Sequence, residues 1–203
     1  MNPWTEQSLV EFESKVAEMF NRGEIKAPVH LSDGNEAQLI EIFNEVRPED
    51  YVFCSWRSHY QCLLKGIPED EILDSIRSGK SISLNFPAHR FYSSAIVGGV
   101  LPQAVGVAAA IKRSRGSEHV WCFLGDMTAE TGMAQTCFRY SLNHGLPIEF
   151  VVEDNGISVC TNTREVWGDI LPAAWESPSL TNVRSYVYKS QYPHAGAGIR
   201  VQF

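Results

Sequence analysis

The chain has 203 residues, 44% of them hydrophobic and 20% charged, with a formal net charge of -7 at pH 7 and a pI near 5.4. That length can bury one substantial core, and the prior it sets is a single domain over 1–203. The acidic balance argues against nucleic acid or an anionic membrane as the main partner, and no apolar run approaches the roughly 18 residues that span a bilayer. The five cysteines are Cys54, Cys62, Cys122, Cys137 and Cys160. They are odd in number and form no CxxC pair, so they read as reduced thiols of a cytoplasmic protein rather than as disulfides or a zinc site. The polar first turns argue against a signal peptide.

In chain order, residues 3–21 place Leu9, Phe12, Val16, Met19 and Phe20 at helical spacing, with Glu6, Glu11, Glu13 and Lys15 on other faces. That pattern predicts an amphipathic helix with Pro3 near its start. Ser32-Asp33-Gly34-Asn35 predicts a turn. Leu39, Ile40, Phe43 and Val46 then predict a second helix that Pro48 ends. These N-terminal helices, 1–48, precede a core over 50–160. Tyr51 to Cys54 reads as a short strand. Arg57 to Lys65 reads as a helix stopped by Gly66. Pro68 opens another helix, with Ile72, Leu73 and Ile76 inward and Gly79 as its stop. Residues 80–97 show no period and carry Pro87, His89 and Arg90, and irregular segments of this kind often carry function.

Gly98 to Arg113 predicts a helix of small residues able to lie close to a sheet. Strand 120–124, helix 128–144 and strand 147–153 complete the centre, with Gly145 and Pro147 separating the last two. A shortened C-terminal segment, 161–203, follows. Residues 156–182 read as a loop, and Val183 to Tyr188 alternates as a strand would. Tyr192 to Gly198 reads as a loop before a last short strand. The whole predicts an α/β fold, a parallel sheet flanked by helices.

The chemistry concentrates at two strand ends. Val120 to Leu124 delivers Gly125-Asp126-Met127, and Ile148 to Val152 delivers Asp154-Asn155-Gly156. Parallel strands joined by a crossover helix end on the same sheet edge. A carboxylate from Asp126, an amide oxygen from Asn155 and the carbonyl of Ile157 can together hold a small hard cation, with phosphate oxygens filling the shell. A helix beginning near Thr128 would aim free N–H groups at the same phosphate. The plainer alternative is that Asp126 merely caps that helix.

The interval from Asp126 to Asn155 is similar to the thiamine diphosphate motif, Gly-Asp-Gly followed by Asn-Asn. More broadly, the chain resembles the α subunit of thiamine diphosphate-dependent 2-oxo acid dehydrogenases, the E1 component. Trp56-Arg57-Ser58-His59 is similar to that family's Tyr-Arg-x-His, and Ala95 to Gly106 resembles its Ile-Val-Gly-x-x-x-Pro-x-x-x-Gly. The resemblance implies a thiamine diphosphate-binding α/β domain. In it Trp56 and Arg57, with Gly125 to Thr128, hold the diphosphate. Ala95 and Val97 lie against the aminopyrimidine, and Asp126, Asn155 and Ile157 hold Mg2+. His194 stands in a tail that resembles the family's His-bearing loop near the diphosphate. His89 and His59 are candidates to face the substrate and relay protons; for His59, a structural role is the alternative.

The resemblance also implies a β-type partner chain, in an α2β2 assembly, that brings the pyrimidine-side domain and an activating Glu. It implies a 2-oxo acid or ketose as substrate. A transketolase- or carboligase-like transfer outside a dehydrogenase complex is a variant of the same expectation. Two departures define a third: Met127 stands where the family has Gly, and Asp154 stands for the first Asn. They leave room for a cofactor-deficient structural or regulatory subunit.

Overall fold

The computed structural model describes residues 3–199. Helix α1 (Glu6–Asn21) starts at Thr5, whose hydroxyl accepts the Ser8 N–H while the Ser8 hydroxyl accepts the Thr5 N–H. This reciprocal cap satisfies donors that a helix start leaves free. The buried face of α1 carries the predicted Leu9, Phe12, Val16, Met19 and Phe20. Helix α2 (Glu36–Phe43) is shorter than predicted, because the chain leaves the helix well before Pro48. Strand β1 (Tyr51–Cys54) has the predicted bounds.

Helices α3 (His59–Leu64) and α4 (Glu69–Ser75) follow, with Gly66 between them at φ 84°. A wider turn, Ile76–Lys80, breaks at Gly79, where φ is 83°. The segment predicted to be irregular contains a small antiparallel pair, β2 (Asn85–Phe86) and β3 (Phe91–Ser93), around the tight turn Pro87–His89. Two- and three-residue strands are too short to show a period.

Helix α5 (Val100–Ser114) and strand β4 (Val120–Gly125) fall close to their predicted places. The single helix predicted over 128–144 is instead two, α6 (Asp126–Ala129) and α7 (Gly132–Asn143). Thr131 makes the break. Its hydroxyl donates to the Thr128 carbonyl at 2.7 Å and accepts the Ala134 N–H at 3.2 Å, a cap that competes with helix continuation. Strand β5 (Ile148–Asp154) follows. The predicted loop 156–182 holds a small hairpin, β6 (Ile157–Ser158) with β7 (Thr161–Asn162), then helix α8 (Thr163–Trp167). The Asn162 side chain caps α8 by accepting the Arg164 and Glu165 N–H groups. Strand β8 (Val183–Val187) matches its prediction. The last short strand predicted after Gly198 falls beyond residue 199, outside the described residues.

The described residues group into two compact units. The first holds the residues up to Pro48, Trp56–Ala95 and those from Lys189 onward. It packs α1 to α4 around Leu9, Ile25, Leu31, Leu39 and Leu63. The second holds Glu49–Ser55 and Ile96–Tyr188. Its sheet is parallel, in the order β1-β4-β5-β8, with α5 against it and α7 meeting β5 through the Phe138 and Phe150 rings. Strands β4 and β5 are buried almost throughout, as parallel strands covered by helices are. All five cysteines are free thiols. Four are buried, Cys160 is exposed, and burial pushes the thiols of Cys62, Cys122 and Cys137 up, away from reactivity.

Candidate functional site

In the second unit, parallel pairing sets Gly125 of β4 beside Glu153 of β5. Both strands therefore end on one sheet edge, with Asp126 following the first and Asn155 the second. Asp126 is 2% exposed. Its carboxylate accepts the Thr163 hydroxyl at 2.5 Å. Burial pushes this carboxyl up to about 6; the Thr163 hydroxyl pulls it down, nearby Asp154 raises it, and the Met127 backbone lowers it. The Asp154 and Asn155 side chains each fold back on the turn after β5. Asp154 accepts the Gly156 N–H at 2.9 Å and Asn155 the Ile157 N–H at 3.1 Å. A carboxylate buried near a second acidic group, with an amide oxygen just past the end of the next strand, is a donor set a hard cation fits. The space over the end of β4 is open: a Cβ added at Gly125 would meet no atom within 4 Å.

The helix expected to begin near Thr128 begins instead at Asp126 and lasts one turn. Thr128 itself is buried. The Met127 thioether accepts the Trp167 indole N–H at 3.2 Å, which fixes the side chain that replaces the motif's glycine. Val97 is exposed on the turn before α5, next to Gly98 at φ 71°.

The first unit carries the other predicted residues. Trp56, His30 and His194 form an aromatic cluster, with ring centroids 4.5 Å apart for His30 and His194 and 6.4 Å for Trp56 and His194. His30 Nδ1 is hydrogen-bonded to the His194 carbonyl, and Arg57 Nη2 donates to that same carbonyl at 3.4 Å. Arg57 Nε is buried and has no hydrogen-bond partner among the described residues. A guanidinium with an orphaned N–H, framed by aromatic rings, is suited to an anion such as a phosphate. Burial lowers both imidazoles, His30 to about 4, and Arg57 adds to the lowering at His194. His89 is half-buried at the end of its tight turn, and Ala95 is exposed.

His59 is fully buried. Its Nδ1 meets Glu13 Oε2 at 2.8 Å and its Nε2 meets the Ser81 hydroxyl at 2.9 Å. With both ring nitrogens engaged and no exposure, His59 has the setting of a structural histidine, the alternative held open by the sequence.

The model of the family described as dehydrogenase E1 component matches residues 5–167. The chain belongs to the dehydrogenase E1 component family. Its curated relatives include the mitochondrial pyruvate dehydrogenase E1 component subunit alpha of Sminthopsis macroura, 28% identical over 164 residues, covering 77% of this chain and 45% of the relative. The corresponding subunit alpha of Rickettsia bellii is 28% identical over 76% of this chain and 50% of its own length. The human testis-specific mitochondrial form is 28% identical over 74% of this chain and 41% of its own. The E1-family chain thus spans half or less of the length of these relatives. The matched span takes in α8, so Thr163 and Trp167 lie inside the E1-family match. The sequence reading missed both, although Asn162-x-x-Glu165 is a readable helix-start signal.

Proposed function

We propose that this E1-family chain is the α-type, diphosphate-side part of a thiamine diphosphate- and Mg2+-dependent enzyme acting on a 2-oxo acid, completed by a β-type partner. The carrying observation is the pairing of a buried Asp126 with Asn155 at the ends of adjacent parallel strands. In this reading Asp126, Asn155 and the Ile157 carbonyl hold the metal. Gly125, Met127 and Thr128 face the diphosphate with their backbone; Trp56, Arg57 and His194, in the first unit, form by themselves a setting suited to an anion. Ala95 and Val97 serve the aminopyrimidine, and His89 is the proton-relay candidate. The cofactor, when bound, supplies the carbanion chemistry that breaks the bond next to the 2-oxo group. The protein's share is to bind it, orient it and keep water out. The reduced, mostly buried cysteines support a cytoplasmic setting within the same proposal.

A second reading, a cofactor-deficient subunit, draws support from one observation: the Asp126 carboxylate and the Met127 thioether are both already engaged by α8. Native mass spectrometry of the chain purified with its endogenous partners, with thiamine diphosphate and Mg2+ added, separates the two. The proposal expects an assembly that retains the cofactor. An intact assembly with no retained cofactor overturns it in favour of the second reading.

A further inference from the structure

Helix α8 brings two side chains, one turn apart, onto two consecutive residues at the end of β4. Thr163 is 1% exposed and gives its hydroxyl hydrogen to Asp126 Oδ2. Trp167 gives its indole hydrogen to Met127 Sδ. The helix is itself held in place. Asn162 caps its start, and the Thr163 N–H donates to the Gly156 carbonyl at 3.0 Å. The Arg164 guanidinium lies over the Trp175 ring and 3.8 Å from Glu176. A buried hydroxyl given to Oδ2, together with the backbone hydrogen bonds of Asp126 and Met127, fixes the rotation of that carboxylate. Ligating carboxylates are oriented in this way by outer hydrogen bonds, and losing such a bond costs roughly 10- to 100-fold in metal affinity.

We propose that Thr163 is a positioning residue for the metal site, holding Asp126 Oδ2 so that Oδ1 faces the cation, with Trp167 pinning α8 to Met127 so that Thr163 stays in place. The inference rests on the metal reading of Asp126 and adds to it a residue and an element. It also gives Met127 a use: the side chain that replaces a glycine is the anchor point for the helix that sets the carboxylate.

The test is a Mn2+ titration, followed by electron paramagnetic resonance of the free ion, on the full chain purified with its partner in the presence of thiamine diphosphate. Thr163→Val keeps the shape of the side chain and removes the hydroxyl; it should weaken Mn2+ binding by roughly 10- to 100-fold. Thr163→Ser restores the hydroxyl and should bind within about twofold of the wild type, a rescue that a packing role would not produce. Should the valine variant not fold, Trp167→Phe, which removes the indole N–H together with part of a half-exposed ring, should weaken Mn2+ binding several-fold. Wild-type affinity in Thr163→Val, or in Trp167→Phe where that variant stands in, overturns the positioning role while leaving the metal reading intact. A wild-type assembly that takes up no Mn2+ overturns both.

Discussion

Two buried carboxylates in this chain have opposite surroundings. Glu13, on α1, is 1% exposed. One of its oxygens accepts the Ser32 N–H at 2.7 Å and the other meets His59 Nδ1 at 2.8 Å, while the far side of His59 meets Ser81. Glu36 nearby in sequence to that turn is similarly occupied, accepting the Tyr60 hydroxyl and the Gly34 N–H. Asp126, as deeply buried, accepts the Thr163 hydroxyl and backbone hydrogen bonds of Met127 and Asp126, yet burial pushes its carboxyl up to about 6 and neighbouring Asp154 adds to the rise. Burial alone therefore does not distinguish a site from a scaffold. The difference lies in what stands beside the carboxylate: Glu13 meets an imidazole, whereas Asp126 meets a hydroxyl and lies near a second acid, Asp154. A carboxylate spent on a basic partner rigidifies the fold, whereas one buried near a second acid is a place where a cation offsets the cost of burial.

The largest effect should come from the spent network. Glu13→Ala leaves the Ser32 N–H and the His59 imidazole buried without their acceptor, and removing one member of such a buried pair costs about 3–5 kcal/mol. Urea unfolding followed by circular dichroism measures it; a loss below about 1 kcal/mol would erase the contrast with Asp126. Asp126→Asn should do the reverse. The amide still accepts the Thr163 hydroxyl and avoids the cost of a buried charge, so stability should change by no more than about 1 kcal/mol, while Mg2+-dependent retention of thiamine diphosphate by the assembly is lost. Retention unchanged in Asp126→Asn would remove Asp126 from the metal site.

The pH dependence comes next in size. His30 is held to about 4 by burial, which outweighs the raising hydrogen bond to the His194 carbonyl, with the His194 ring and Arg57 charges adding to the lowering. In the unfolded chain its imidazole takes a proton near the ordinary value of about 6.5. The folded value lies below the unfolded one, so the stability His30 contributes is present above about pH 6.5. It is lost as pH falls towards about 4, where the unfolded state binds a proton that the folded state refuses. Thermal melts between pH 7 and pH 4 should show this loss, and His30→Gln should flatten that part of the profile. A profile unchanged by the substitution would mean that other groups carry the acid sensitivity.

Much of this was legible in the sequence, and the failures have local causes. The runs at Tyr51–Cys54, Val120–Leu124 and Ile148–Val152 are apolar and bounded by turn residues, and they became β1, β4 and β5. Parallel pairing of β4 with β5 then puts the strand ends that precede Asp126 and Asn155 on one sheet edge. The one-residue hydroxyl cap at Thr131, which splits the helix after β4, was overlooked because the apolar period runs through it. Helix α8 was overlooked because its exposed Val166 and Trp167 give it no buried stripe; it is held by a cap and by polar contacts rather than by apolar burial. His59 shows the opposite limit. Its motif position suggests chemistry, and only the three-dimensional meeting with Glu13 and Ser81 shows its nitrogens to be engaged.

The smallest effect should come just beyond α8. Ile170 is 93% exposed and Leu171 77%, so neither side chain has packing to lose. Ile170→Ser should shift stability by no more than about 0.5 kcal/mol, the range of surface substitutions, against about 2–5 kcal/mol for truncating a buried aliphatic side chain. The measurement bears on the contrast between the two carboxylates. If α8 owes its place to Asn162, Arg164 and the two donors Thr163 and Trp167, then the residues after it can be made polar without loosening Asp126, and both the melting temperature and Mn2+ affinity should hold. A loss above about 1 kcal/mol would instead mean that Ile170 is buried in solution, that apolar packing helps to fix this edge, and that the Asp126 site is as firmly built as the Glu13 network.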